Sequence, residues 1–157
     1  MKVILDELLS IAITHEIRSQ ALYAHLQGVV VDPEAREFLR CMEEEEHDHE
    51  RRLLELRASD EYDGSIPIDV PSIVDEIRRS HTVYVTLGKD ASRNDVLLLV
   101  EKREQRAALL FQRLASINGN ETIRLFFEQL AAEELEHERA AQSLFGEPVE
   151  SETPDPG

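Results

Sequence analysis

Along four stretches of the chain, apolar residues recur at steps of three and four, the spacing of one face of a helix. The first stripe runs Ala12, Glu16, Ser19, Tyr23, Leu26. The second runs Met42, Glu46, His49, Leu53, Leu56. The third runs Leu97, Val100, Glu104, Ala107, Phe111, Leu114, and the fourth Leu130, Glu134, His137, Ala141, Leu144. Four such stripes predict an all-α four-helix bundle. Each stripe is interrupted by Glu, or by Glu and His. Polar groups on a core-facing stripe are costly to bury without partners, so the interruptions need a reason.

Turn signals agree with the stripes. Asp32-Pro33 reads as an N-cap followed by proline at the first helical position. Asn118-Gly119-Asn120 reads as a helix stop followed by a new cap. Two antiparallel hairpins result. Glu16 and Glu46 are equidistant from residue 31, and Glu104 and Glu134 from residue 119. Each hairpin therefore sets its two glutamates side by side, about 22 Å from its turn at ~1.5 Å per residue. Residues 59–93 form a link far longer than the roughly 2–8 residues a simple reversal needs. The link contains Pro67 and Pro71, predicts a short helix near 72–85, and is long enough to cross the bundle in an up-down-down-up order. One domain over 1–146 is expected, followed by an acidic tail, 147–157, with the composition of disorder.

The two halves are copies of each other. Shifted by 88 residues, 8–56 lies on 96–144 without a gap, and thirteen of the forty-nine aligned positions are identical. The duplication resolves an ambiguity in "EEEEHDHE", residues 43–50, which offers two overlapping Glu-x-x-His pairs. Glu46 and His49 fall on Glu134 and His137, whereas Glu44 and His47 fall on Ala132 and Leu135. Glu46 and His49 are therefore the functional candidates; Glu43, Glu44 and His47 belong to a solvated face. A single Glu-x-x-His in a Glu-rich helix is usually such a face. Two copies at matched spacing, each with a matched upstream glutamate on an apolar stripe, reverse that reading.

Charge narrows the chemistry. With 33 acidic and 17 basic residues the net charge is −16, which disfavours nucleic acid and anionic membrane as partners and favours cations. The single Cys41 excludes an intrachain disulfide and a four-cysteine metal site, and agrees with a reducing, cytoplasmic setting. The start, MKVILDELLSIAIT, has no signal-peptide pattern, and no stretch approaches the ~18 apolar residues of a membrane span.

The candidate metal ligands are Glu16, Glu46, His49, Glu104, Glu134 and His137. One Glu from each of two helices plus Glu-x-x-His from each of the other two is the inward layout of carboxylate-bridged di-iron and di-manganese bundles. Four carboxylates balance two divalent ions, or two trivalent ions joined by an oxo bridge. Carboxylate with imidazole suits iron or manganese, and the lack of thiolate argues against structural zinc. Tyr23, seven residues after Glu16, is a candidate for a supporting hydrogen bond or a redox role; its match, Phe111, reads as core. Glu45 and Glu133 recur off the stripe and read as helix-surface pairing, with support behind the ligands as the alternative. Glu101 lies one turn before Glu104, within reach of the ions, and His15, His25 and His81 read as ordinary.

At these residues the chain resembles the ferritin-like superfamily, and within it the rubrerythrins. The resemblance covers about 8–56 and 96–144 and rests on Glu16 with Tyr23, Glu46-x-x-His49, Glu104 and Glu134-x-x-His137. It implies a non-haem di-iron centre that reacts with hydrogen peroxide or dioxygen, and assembly as a dimer or larger homo-oligomer. Two departures stand out. Rubrerythrins usually carry an additional glutamate where this chain has Ala107, and a cysteine-rich rubredoxin-like domain that one cysteine excludes. Electrons are therefore expected from a separate donor protein. The expected function is a di-iron oxidoreductase; the alternatives are ferroxidase with iron storage or delivery, and an oxygenase acting on an organic substrate.

Overall fold

A computed structural model describes residues 3–68, 87, 91–117 and 119–145. The predicted helix near 72–85, with Pro71 and His81, and the tail 147–157 lie outside the described residues. Four long helices dominate: α1 (Leu5–Val29), α2 (Pro33–Ala58), α3 (Arg93–Ser116) and α4 (Glu121–Phe145). At ~1.5 Å per residue each spans about 36–39 Å. Their starts follow local chemistry. Asp32 accepts hydrogen bonds from the backbone N–H groups of Glu34 and Ala35, ahead of Pro33. Ser92 and Asp95 cap α3 reciprocally, each side chain accepting from the other's backbone N–H. Asn120 Oδ1 accepts from Ile123 N at the start of α4.

α1 begins differently. Ile4 offers no capping side chain. Instead the N–H groups of Leu5 and Asp6 donate to the carbonyls of Ile66 and Gly64, 2.9 Å each. This contact continues a two-residue antiparallel pairing of β1 (Val3–Ile4) with β2 (Pro67–Ile68), which the periodicity does not predict. The link thus satisfies helix donors that would otherwise be orphaned.

The core divides into two apolar clusters. One joins Leu5, Leu8, Leu9 and Ala12 to Leu110, Phe111, Leu114 and Ala115, and Leu53 to Ile123, Phe127 and Leu130. The other joins Tyr23, Leu26 and Val30 to Val96, Leu97 and Val100, and Leu39 and Met42 to Ala141. The start of α1 therefore meets the end of α3, and the start of α2 meets the end of α4. Each of these pairs is antiparallel, which gives the up-down-down-up order of a ferritin-like bundle. The link leaves α2 at one end, where residues 64–68 touch the start of α1, and reappears at the other, where Leu87 O lies 3.1 Å from His25 Nε2. Among the described residues no helix is long and apolar enough to cross a membrane.

Candidate metal centre

Between the two apolar clusters lies a polar layer. Glu46 and His49 on α2, and Glu134 and His137 on α4, sit three residues apart, so both members of each pair face inward. Glu16 on α1 and Glu104 on α3 reach in from the other side. All six are buried, with His137 the most accessible at 7%. The competing pair is not: Glu44 is exposed and bound to Arg40, and the exposed His47 lies against Gln20.

The six fall into two groups that could each hold a metal ion. Glu16, Glu46, His49 and Glu134 form one; Glu46, Glu104, Glu134 and His137 form the other. In each, ligand atoms lie within 4.8 Å of one another, and Glu46 and Glu134 belong to both. His49 Nδ1 is 2.6 Å from Glu134 Oε1 and 3.7 Å from Glu16 Oε2. His137 Nδ1 is 3.2 Å from Glu46 Oε1 and 3.4 Å from Glu104 Oε2. Yet both imidazole Nδ1 atoms, both oxygens of Glu16, Glu46 and Glu134, and Oε2 of Glu104 are buried without a hydrogen-bond partner. These atoms are close but not aimed at one another, as atoms converging on a common third body would be. Buried carboxylates without compensation are strongly unfavourable, so the donor set fits multiply charged cations.

Electrostatics describe the same tension. Burial, then repulsion from Glu46 and Glu134, raises the carboxyls of Glu16 and Glu104 well above the ordinary range. Burial also works against ionised Glu46 and Glu134. There the close neighbours, Glu16 and both histidines for Glu46, and Glu104 and both histidines for Glu134, outweigh it and hold both carboxyls low. Burial alone would lower His49 and His137, but the surrounding carboxylates override it and push both up.

Beyond the six, the halves differ. Tyr23, fully buried, donates its hydroxyl to Glu104 Oε1. Burial, then the Glu104 charge, raises the Tyr23 hydroxyl, which keeps it a neutral donor. At the matched position Phe111 stacks on Phe127, with centroids 6.3 Å apart. Glu45 and Glu133 do more than decorate a helix surface. Glu45 Oε2 contacts His137 Nε2, and Glu133 Oε1 lies 3.7 Å from His49 Nε2. Each stands on the solvent side of the histidine of the opposite hairpin. Glu133 is also gripped by Arg52, two hydrogen bonds of 2.9 Å. The matched position to Arg52 is Ala140. Glu101 is half-buried and belongs to neither group.

Sequence reasoning passed over Arg103. It is 9% exposed, its Nε donates to Ser19 Oγ at 2.9 Å, and its Nη2 donates to His15 O at 3.1 Å. His15 is itself buried. The signal was present: Arg103 continues the steps of three and four through Val96, Val100 and Ala107.

Neither the comparison with curated proteins nor that with solved structures yields a match. The comparison with protein families matches residues 7–145 to the family described as Rubrerythrin. That span takes in all six inward-facing residues and all four helices but for the first two residues of α1, and it places the chain in the rubrerythrin family.

Proposed function

We propose that the chain is a di-iron oxidoreductase that reduces hydrogen peroxide or dioxygen, with Glu16, Glu46, His49, Glu104, Glu134 and His137 as the metal ligands. The observation that carries this reading is the convergence of their buried, unpartnered oxygens and Nδ1 atoms on two adjoining points. Glu46 and Glu134, common to both groups, would bridge the ions; His49 and His137 would each cap one. Iron held by these residues would supply the electrons for O–O cleavage, and manganese fits the same donors.

The chain's residues prepare that chemistry. The apolar clusters above and below the polar layer keep bulk water from its two ends. Tyr23 holds Glu104 by Oε1 and leaves Oε2, the oxygen nearer His137, for the centre. Its hydroxyl proton sits at the edge of the site, where the reduction of peroxide to water consumes two protons and two electrons. Among the described residues the ligand set ends at six. Ala107 is buried and carries no donor, and the Ser19 hydroxyl is engaged with His15 O and Arg103. With no seventh ligand among the described residues, an open position would be accessible to both oxidants. A donor protein would return the electrons to the centre.

Anaerobic iron loading followed by metal analysis tests the assignment. Wild-type protein should bind two irons per chain. His49→Ala and His137→Ala should each lose metal, and His47→Ala should not; a depleted His47→Ala beside a filled His49→Ala overturns the assignment. Stopped-flow absorbance of the ferrous protein should then show oxidation by both peroxide and dioxygen, with peroxide faster by a modest factor. Inertness to both would refute oxidoreductase function.

A further inference from the structure

The two edges of the centre, related by the internal duplication, differ in exposure and in the charge beside the histidine. At the His49 edge, His49 is 2% exposed in its side chain, and Glu133 in front of it is 27% exposed. Arg52 binds both Glu133 oxygens and places a guanidinium at the mouth. At the His137 edge, the His137 side chain is 9% exposed, and Glu45 in front of it is 56% exposed. Among the described residues, the one ion pair of Glu45 is with His137, and Ala140 stands where the matching arginine would be. Repulsion from a fixed guanidinium opposes the approach of a divalent ion, whereas an exposed carboxylate in contact with a ligand draws it in.

We propose that divalent cations enter and leave the centre at the His137 edge, over Glu45, and that Arg52 closes the equivalent edge at His49. Glu45 is then a transfer residue: it takes a cation from solvent and passes it inward past His137. Glu133 cannot do the same, because both its oxygens are committed to Arg52. The inference rests on the metal-centre reading above and adds a direction to it. It also makes the two metal positions kinetically unequal, with the position capped by His137 the one that fills and exchanges first.

Cobalt(II) uptake under anaerobic conditions, followed by its visible absorbance, tests this without turnover. Glu45→Gln should slow uptake at least about threefold and flatten its dependence on ionic strength, because a steering charge is lost. Ala140→Arg, which places a cation opposite Glu45, should also slow uptake. Arg52→Gln should accelerate it by opening the second edge. Bound cobalt at equilibrium should stay at two per chain in all three. Wild-type rates in both Glu45→Gln and Ala140→Arg would overturn the route, and so would a change in the amount bound with no change in rate. Slower uptake in Arg52→Gln would overturn the closure. If the wild-type chain takes up no cobalt, the metal-centre reading itself falls; uptake with unaltered rates defeats only the route.

Discussion

Tyr23 is the side chain whose loss separates support from packing. Replacing it with Phe keeps the ring in its cluster but removes the donor to Glu104 Oε1. A buried oxygen left unsatisfied costs about 1–3 kcal/mol, so Tyr23→Phe should lower the urea midpoint without changing the slope of the transition. An unchanged midpoint would mean that the hydroxyl contributes nothing to the fold. At this scale the sequence was partly legible. Duplication separated Glu46 and His49 from Glu44 and His47, because it reports which positions serve the same purpose twice. It could not reveal Arg52 on Glu133. That pair joins α2 to α4, has no helical spacing between its members, and has no copy in the other half. Arg103 escaped for another reason: its charge argued for solvent, while its partners are a hydroxyl and a carbonyl rather than a carboxylate.

The helix ends divide in the same way. Those capped by their own neighbours, at Asp32, Ser92 and Asn120, depend on side chains within three residues and show in the sequence. The start of α1 depends on carbonyls about sixty residues away, which no local pattern reports. Gly64 is central to that contact. A Cβ there would lie 2.8 Å from Asp6 Cβ and 3.0 Å from the Tyr62 ring. Tyr62 donates to Asp6 Oδ1 at 3.0 Å and Arg57 Nε lies 3.1 Å from the same oxygen, so neither side has room to give. Gly64→Ala should therefore destabilise the protein by about 1–3 kcal/mol, read as a lower urea midpoint. A variant as stable as wild type would show that the link yields and that α1 does not depend on it.

At the scale of the whole molecule, a charged layer divides an otherwise apolar interior, and its cost depends on pH. In the metal-free protein Glu16 and Glu104 have raised carboxyl pKa values, so they retain protons that the unfolded chain has released. Their contribution to stability is full below the unfolded value of about 4.5 and is lost as pH rises through the raised values. Glu46 and Glu134, held low, act oppositely: their contribution is present above about 4.5 and is lost as pH falls through the depressed values. Raising the pH from 5 to 7.5 therefore removes stability from the metal-free form through the first pair, while bound cations offset the repulsion. The gap in melting temperature between loaded and chelator-treated protein should be wider at pH 7.5 than at pH 5, by more than about 3 °C. Equal gaps would show that the carboxylates do not govern the difference. Each hairpin brings one lone glutamate and one Glu-x-x-His, half of the inventory and the same half twice. Two unlinked copies of a single hairpin would already hold a complete set around a twofold axis. Seen this way, the segment joining α2 to α3 is a tether: it turns a meeting of two molecules into a meeting within one, at an effective concentration set by its length, and frees the halves to diverge. Arg52 without a counterpart, and Tyr23 where the other half has Phe111, are what that freedom looks like.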